Sequence, residues 1–286
     1  MKVIKTILNL IISFLLIFAL ILGILFNFLS NEIFNKENML KRLEETEFYM
    51  QISREVYNGF EDYIYQSGLP EDTIKELYTE DDVKNDVNSI INYIYEGKEI
   101  TLSDEKINTN LENKINEYLQ NENIKLTKSE EDNVNKFKKL IVDSYKSNIR
   151  ISNTLITVAR EYYQKANEIF IKVQDIPLTM GVILVFVLFV INIKSLTNVI
   201  SYISISILSS GILLKLFNYI VLKNIDIDDL LIIATSLTSF IQNILREVLD
   251  IISTNGLYFI VGGITGIIIS SMIKAALPKN ANEKNN

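Results

Sequence analysis

Residues 7–29 read ILNLIISFLLIFALILGILFNFL, a run of 23 residues without a charged side chain that follows Lys2 and Lys5. About 20 consecutive apolar residues in a helix span the hydrocarbon core of a bilayer. A cleaved signal peptide has a shorter apolar stretch that ends in small residues, whereas this run ends in large ones. The stretch therefore predicts an uncleaved transmembrane anchor within residues 1–30.

Three further runs, residues 176–193, 196–214 and 256–273, are also apolar and long enough to be spans. With the N-terminus inside, the short inner segments contain a single acid, Glu283, against Lys2, Lys5, Lys194, Lys274, Lys279 and Lys284. Cytoplasmic loops show such an excess of basic residues. We therefore expect both termini in the cytoplasm, residues 31–175 outside the cell membrane, and residues 176–286 as a three-span domain with a short cytoplasmic tail.

Residues 230–245 also lack charge and leave a fifth span or a re-entrant segment open. The apolar residues of this region recur every three or four positions, at Leu230, Ile233, Leu237, Ile241, Ile244, Val248 and Ile251. Polar and charged residues fall mainly on the other side, which is typical of an amphipathic helix. A fifth span would also move the lysine-rich tail outside. We therefore prefer an amphipathic helix over residues 228–252 on the outer face.

Acidic residues concentrate between the first two spans. Residues 31–176 contain 29 acidic and 19 basic residues, a net charge of −10, whereas the rest of the chain has a net charge of +3. A domain of this charge repels phosphate, so a nucleic-acid partner is not expected.

The chain contains no cysteine and no histidine. Disulfides, thiolate nucleophiles, Ser-His-Asp triads and histidine metal sites are therefore excluded. No acidic residue interrupts the four spans, although ion pumps and proton-coupled transporters need ionisable groups at depth. We expect no enzyme activity and no cofactor, and we assign no catalytic, cofactor-binding or metal-binding residue.

The segment between the first two spans has helical periodicity throughout. A stop is expected at Gly68 and Pro70, a short helix through Ile74 and Leu77, and C-terminal caps such as Gly97. Helix starts are predicted at Thr79, Ser103, and Thr127 or Ser129, and the last helix could run unbroken into the second span. Because the chain leaves and re-enters one membrane face, we predict an antiparallel helical bundle, and the fold class is all-α.

Two acidic clusters could attract a cation. The first comprises Asp81, Asp82, Asp86 and Asn88, and it lacks the alternating acids and central glycine of a calcium loop. Helix capping is the better explanation for it. The second comprises Asp226, Asp228 and Asp229, which either cap the amphipathic helix or form a cation or partner site.

Three other sequence patterns bear on function. Glu44, Glu45 and Glu47 lie near the membrane but, as a run on one helix, are expected to be a solvated face. Eleven of the fourteen tyrosines lie in residues 31–176, where packing is favoured over a binding surface. Small residues at helical spacing predict close packing of the fourth span on the third: Gly262, Gly263, Gly266 and Ser270, with Ser206, Ser210 and Gly211.

Three short stretches carry a family resemblance: residues 66–70 (QSGLP), 81–87 (DDVKNDV) and 94–98 (IYEGK). In these the chain resembles multi-pass membrane proteins of low-GC Gram-positive bacteria that have an anchor, an acidic helical outer domain and three later spans. The resemblance implies this topology and no particular activity.

The leading hypothesis is a non-enzymatic cell-membrane protein whose outer domain binds an envelope protein or an extracellular ligand, as a sensor, scaffold or accessory subunit. The alternative is a channel or transporter subunit lined by the third and fourth spans. The expected partners are the lipid bilayer and an envelope protein or further copies of the chain.

Overall fold

The computed structural model describes residues 2–150, 153–231 and 234–276, and within these ranges the chain is helical without a β-strand. The helices are α1 (Lys2–Phe28), α2 (Lys36–Glu45), α3 (Phe48–Ser67), α4 (Glu80–Glu96), α5 (Asp104–Asn121), α6 (Lys128–Arg150), α7 (Asn153–Val173), α8 (Ile176–Ile191), α9 (Leu196–Asn224) and α10 (Thr235–Ala276). The all-α prediction is confirmed. Ile233 and three tail residues of the charge argument lie outside the described ranges: Lys279, Glu283 and Lys284.

Four helical stretches are long and apolar enough to cross a membrane: Val3–Ile33, Lys128–Ile191, Leu196–Asn224 and Thr235–Ala276. This agrees with the four spans expected from the sequence. The third is longer than predicted, because Leu216, Phe217 and Ile220 continue the helix beyond Lys215 as far as Asn224. Lys215 lies inside this helix, and its Nζ donates to Ser253 Oγ over 2.7 Å.

The chain divides into two compact units. The span unit comprises Met1–Phe34, Ile169–Leu230 and Gln242–Asn286, and the helical domain comprises Asn35–Glu168 with Leu231–Ile241. The bounds of the helical domain lie close to the predicted 31–175. The segment Leu231–Ile241, which contains the first turns of α10, is an addition that the linear order of the chain does not indicate.

In the span unit, α1 packs against α8 and α9. Its apolar core contains Ile12, Leu16 and Ala19 from α1 with Leu184 and Leu188 from α8. Beside this core the amides of Asn9 and Asn192 form a reciprocal buried pair, in which Asn192 Nδ2 donates over 2.9 Å and Asn9 Nδ2 over 3.3 Å. Polar pairs of this kind join helices in a medium without water.

The small residues of α10 and α9 divide between two neighbours. Ser201 and Ser270 share a hydrogen bond of 2.7 Å, and a Cβ added at Gly263 would meet Leu208 of α9 at 2.6 Å. These contacts agree with the expected close packing of the fourth span on the third. Two parts of the prediction are wrong. The first concerns Gly262, which does not pack against α9, because a Cβ added there would meet nothing within 4 Å.

The second error concerns Ser206 and Ser210, which pack against α1 instead of α10. Ser206 Oγ donates to the carbonyl of Ser13 over 3.2 Å, and Ser210 Oγ lies 3.5 Å from the carbonyl of Ile17. Gly211, one position further along α9, does face α10, where a Cβ would lie 2.6 Å from the carbonyl oxygen of Gly256. The serine face of α9 thus packs against α1, and the glycine face of α9 packs against α10.

Within the stretch Lys128–Ile191, a two-residue turn at positions 174 and 175 separates the helix before the second span from the span itself. α7 ends at Val173 and α8 begins at Ile176. Pro177 has no N–H to donate to the carbonyl four residues earlier, so the hydrogen-bond ladder is interrupted there. At the other end of α8 the connection is as tight as predicted, since α9 begins at Leu196 and Ser195 N donates to Asn192 O over 2.7 Å.

The region of the predicted amphipathic helix 228–252 belongs to α10. This helix begins at Thr235 instead of 228 and continues without interruption through the fourth span to Ala276. No proline occurs between these residues, and the four glycines of this stretch lower helix propensity without interrupting the helix. The outer-face location of this helix stays a prediction.

The core of the helical domain forms around α3 and α6. Ser144 and Asn148 of α6 lie against Gly59, and Phe137 lies near Ser67, so the two helices are antiparallel. Fully buried apolar residues from α3, α5, α6 and the loop after α3 complete the core, namely Val56, Phe60, Ile74, Leu77, Ile107, Leu111 and Ile141. The antiparallel packing agrees with the predicted arrangement, and the location of the domain outside the membrane stays a prediction.

Most predicted helix ends are confirmed. Thr79 and Asp82 form a reciprocal capping box at the start of α4, and Thr127 pairs in the same way with Glu130 before α6. Gly68 and Gly97 end α3 and α4 with φ angles of 73° and 78°, a region that glycine enters without steric cost.

Two details differ. The expected short helix through Ile74 and Leu77 is a 3₁₀ turn, Glu71–Thr73, followed by a loop in which Glu76 has a φ of 57°. Ser103 precedes α5 but its hydroxyl does not cap the helix, because it donates to Asp86 Oδ1 over 2.8 Å. A buried carboxylate thus takes the hydroxyl that the sequence pattern assigns to the cap.

Candidate functional site

A groove of about 550 Å³ lies in the helical domain, where the ends of α3 and α5 meet the start of α6. We call it the α3–α5–α6 groove. Its lining residues are Tyr63, Gln66, Ser67, Gly68, Leu69, Tyr118, Leu119, Ile124, Leu126, Glu130, Asn133, Val134, Lys136, Phe137 and Leu140. A groove of this volume is within the range of ligand-binding clefts.

The floor and one wall of the groove are apolar. Phe137 is 7% exposed and belongs to the domain core, whereas Ile124 and Leu140 expose 43% and 45% of their surface. Apolar surface that is removed from water by a ligand contributes roughly 25 cal/mol per Å². The two exposed aliphatic side chains beside a buried ring therefore provide a site at which a large apolar side chain gains free energy by docking.

The end of α3 positions one side of the groove. Ser67 Oγ donates to the carbonyl of Ile64 over 2.8 Å and accepts from the backbone N–H of Leu69 over 3.0 Å. Gly68, between them, adopts the left-handed conformation that turns the chain. These local bonds hold Leu69 against the groove, and Pro70 then prevents the helix from resuming.

The loop after α5 positions the opposite side. Asn123 has a φ of 51°, and the backbone N–H of Ile124 donates to the carbonyl of Leu119 over 2.9 Å. This bond closes the helix end in the manner of a Schellman motif. Ile124 and Leu126 of this loop then line the groove.

The rim carries one acid and one base, although the domain as a whole is strongly acidic. Glu130 accepts from both the backbone N–H and the hydroxyl of Thr127 over 2.7 Å. These hydrogen bonds hold the pKa of the Glu130 carboxyl below its usual value, so it is ionised at neutral pH. With Lys136 nearby the lining is electrically balanced, and it does not select strongly for a charged ligand.

Five of the tyrosines of the helical domain show two different uses of the side chain. Tyr49, Tyr78 and Tyr145 are structural, since their hydroxyls donate to Asn88 Oδ1, the carbonyl of Ser53 and Asp86 Oδ2 over 2.7, 2.6 and 2.6 Å. Tyr63 and Tyr118 are half-buried and line the groove. The packing interpretation therefore holds for the first group, and a binding role fits the second.

The buried tyrosines make stability sensitive to alkali. Burial raises the pKa of Tyr78 to about 12 from an ordinary value of about 10. The folded state therefore retains its proton at a pH at which the unfolded state loses it. The stabilisation is fully present below pH 10 and is lost as pH rises from about 10 towards 12.

We expect the unfolding temperature of the wild-type protein to fall over this window, and the fall to be shallower in Tyr78→Phe. The measurement is thermal unfolding at a series of pH values, and Tyr65→Phe is the control because Tyr65 is 78% exposed. A slope in Tyr78→Phe equal to that of the wild type would contradict the assignment.

The first predicted acidic cluster serves three separate structural roles. Asp82 caps α4 and pairs with Lys106 over 2.7 Å, and Asn88 accepts from Tyr49. Asp86 is buried and accepts from the hydroxyl of Tyr145 and from Ser103. The capping interpretation is thus confirmed for Asp82, whereas Asp86 belongs to an internal hydrogen-bond network. Among the residues that the structure describes, no three acids lie close enough to hold a metal ion.

The glutamates at residues 44–47 do not lie on a single helix, so that part of the prediction is wrong. α2 ends at Glu45, and Glu47 has a φ of 54° before α3 begins. The cause is the turn at Thr46, whose hydroxyl donates back to the carbonyl of Arg42 over 2.8 Å. Glu44 then pairs with Lys84 of α4 over 2.9 Å.

The second acidic cluster does not cap the helix that follows it. Asp226 Oδ1 accepts from the backbone N–H of Asp228, whose carboxylate pairs with Arg246. The start of α10 is capped from elsewhere in the helical domain. Glu55 of α3 accepts from the backbone N–H of Ser236 over 2.7 Å and from its hydroxyl over 2.8 Å. Sequence reasoning missed this cap because its residues are 181 positions apart.

Comparison of the chain with protein-family models, with curated proteins and with solved structures gives no match. The chemistry of the groove residues therefore defines what the site can bind. One sequence signal could have indicated the groove, since Ile124 and Leu126 are apolar residues in an otherwise polar interhelical loop.

Proposed function

We propose that this chain is a non-enzymatic cell-membrane protein whose helical domain binds an envelope protein through the α3–α5–α6 groove. The observation that carries the proposal is the exposure of Ile124 and Leu140 beside the buried ring of Phe137. Protein interfaces gain most of their free energy where a large side chain enters such an apolar pocket. The partner is expected to present a short segment with an apolar or aromatic side chain.

The lining supports a protein segment better than a charged metabolite. Tyr63 and Tyr118 supply aromatic surface with a polar end, a composition that is enriched at protein interfaces. Gln66, Asn133 and Ser67 supply hydrogen-bonding groups around it. One acid and one base in the lining leave no net charge to hold an ionic ligand, so affinity depends on apolar burial and on hydrogen bonds.

The proposed topology places both termini in the cytoplasm and the helical domain outside. Lys194 in the turn between α8 and α9 and Lys274 in the last turn of α10 support it, because basic residues favour the cytoplasmic side. In this topology the groove faces the cell envelope. As part of the same proposal, we infer that the chain is a member of the low-GC Gram-positive membrane proteins that it resembles.

The alternative function, a channel or transporter subunit lined by α9 and α10, receives less support. Its lining would need the serine face of α9 and the glycine face of α10. The hydroxyls of Ser206 and Ser210 instead donate to carbonyls of α9 itself over 2.9 and 2.8 Å and lie against carbonyls of α1, and Gly263 packs directly on Leu208. These small and polar residues are used in packing within one chain, which leaves them unsuited to a lining.

The test is site-directed cross-linking in native membranes of the producing cell. The chain has no cysteine, so a single introduced cysteine carries the photoreactive label without competing sites. Leu140→Cys and Ile124→Cys place the label in the groove, and Glu99→Cys places it at an exposed position elsewhere in the same domain. We expect both groove positions to capture the same envelope protein and the Glu99 position to leave it uncaptured.

The captured protein is then purified and titrated against the full chain in nanodiscs. Leu140→Asp is expected to weaken binding at least about tenfold, because a charge would replace the apolar contact. Glu99→Gln should bind like the wild type. Equal capture from the groove and control positions, or unchanged affinity of Leu140→Asp, would refute the groove as the binding site.

A further inference from the structure

A second cleft, of about 790 Å³, lies within the span unit between α1, α8 and α10. We call it the span-unit cleft. Its walls come from the C-terminal half of α1, the turn that follows α1, the first turns of α8, and Ile251 and Asn255 of α10. None of the residues that line this cleft lines the α3–α5–α6 groove, so the cleft is a separate site.

One end of the cleft is apolar, and two glycines widen it. Its lining residues there are Leu16, Ala19, Leu20, Gly23, Ile24, Leu178, Gly181, Val182 and Val185. A Cβ added at Gly23 would meet nothing within 4 Å, and one at Gly181 would touch Ala19 Cβ at 4.0 Å. A larger side chain at residue 23 would therefore extend into the cleft. This end has the shape and chemistry to hold a hydrocarbon chain.

The other end is polar and acidic. It is formed by Asn27, Ser30, Asn31, Glu32, Gln174, Asp175 and Asn255, and the lining also includes the apolar residues Phe26, Phe28, Pro177 and Ile251. Residues Leu29–Ile33 form a π-helical turn directly after α1, and Glu32 lies in this turn, partly buried. Two acids therefore line this end, and the cleft lining contains no lysine or arginine.

We propose that the span-unit cleft binds a cationic amphiphile, with its alkyl chain along the apolar end and its ammonium head group at the acidic end. The occupant follows from the gradient of the lining, which is hydrocarbon at one end and carries two carboxylates at the other. An ammonium group is attracted to nearby carboxylates. An alkyl chain gains by the contacts that it makes with the apolar wall.

The same charges select against other amphiphiles. A fatty acid or an anionic lipid would place a negative charge next to Glu32 and Asp175, which is unfavourable. A neutral alkyl alcohol can fill the apolar end but gains no charge interaction. The order of affinity expected is therefore alkylamine, then alcohol, then carboxylate, for equal chain lengths.

The experiment uses the purified full chain in nanodiscs of a zwitterionic lipid and a photoreactive long-chain alkylamine, with labelled residues identified by mass spectrometry. Competition by matched alkyl alcohol and alkyl carboxylate gives the head-group preference. We expect the photoreactive amine to label residues of α1 and α8 around the cleft. An unlabelled alkylamine should compete with this labelling more strongly than the matched alcohol, and the carboxylate should compete least. Gly23→Leu is expected to lower labelling about tenfold, because its side chain occupies the apolar end.

Matched variants separate the cleft from general effects. Gly262→Leu is the steric control, since residue 262 also has open space around it but does not line the cleft. Glu32→Gln with Asp175→Asn should remove the preference for the amine over the alcohol, and Glu37→Gln, an exposed acid outside the cleft, should retain it. Gel filtration checks that each variant remains folded.

Two results would overturn the proposal. The first is equal amine labelling in Gly23→Leu and Gly262→Leu, which would mean that the amine labels from the bilayer. The second is carboxylate competition as strong as that of the amine, which would mean that the acids do not select the head group.

Discussion

Replacement of Gly263 by leucine is expected to prevent α10 from packing on α9 and to leave little folded protein. Even the Cβ of an alanine at this position would lie 2.6 Å from both Leu208 Cβ and the Leu208 backbone nitrogen, closer than such atoms approach. Because one of these atoms belongs to the backbone, the clash cannot be relieved by rotating a side chain. The helices must separate, and the contacts along the whole face weaken together.

The expected cost of Gly263→Ala is about 1–3 kcal/mol, and that of Gly263→Leu is larger. Thermal unfolding of the purified protein in detergent, followed by fluorescence-detected gel filtration, measures both. Gly262 provides a neighbouring control, because Gly262→Ala and Gly262→Leu enter open space. If the variants at 262 and 263 lost the same stability, helix propensity or lipid contact would explain the loss, and the close contact of α9 with α10 would be wrong.

The second large effect is expected for Asp86→Ala in the helical domain. The Asp86 carboxylate is 3% exposed and accepts from the Tyr145 hydroxyl over 2.6 Å. It also accepts from the backbone N–H and the hydroxyl of Ser103, each over 2.8 Å. Alanine would leave these donors without their acceptor in a region that water does not reach.

A hydrogen bond to a charged group contributes about 1.5–3 kcal/mol, and an orphaned buried donor costs about 1–3 kcal/mol. Asp86→Ala is therefore expected to destabilise the domain by about 3 kcal/mol or more. Chemical unfolding monitored by circular dichroism measures the loss, with Asp81→Ala as the control because Asp81 is exposed on the same helix. A loss no larger than in Asp81→Ala would show that Asp86 is not an internal acceptor.

Local chemistry explains which parts of the fold could be predicted from the sequence. Spans follow from long apolar runs, and caps such as Thr79 with Asp82 depend on residues three positions apart. The apolar run 196–214 predicts a third span that ends before Lys215, whereas α9 continues past this lysine to Asn224. The Lys215 Nζ donates to Ser253 of α10, an internal partner that no local pattern indicates.

The candidate sites could not be predicted for the same reason. The α3–α5–α6 groove requires α3 to meet the end of α5 and the start of α6, and α3 is distant from both in the chain. Two acids of the sequence clusters instead pair with lysines of other helices in the domain, Asp82 with Lys106 and Glu44 with Lys84. Ile124 and Leu126 stand out as apolar residues of a polar loop, but nothing in the sequence indicates that Leu140 and Tyr63 line the same groove.

The amide pair of Asn9 and Asn192 has a consequence for biosynthesis. The two residues are 183 positions apart, so α1 leaves the ribosome long before α8 does. At a typical synthesis rate the interval is about 10–40 s. Throughout that time Asn9 lacks its partner amide, and its side chain bonds to its own helix, to water, to an insertion factor or to another nascent chain. The pair therefore closes α1 onto α8 late, and a chain truncated before Asn192 would expose the Asn9 amide to quality control.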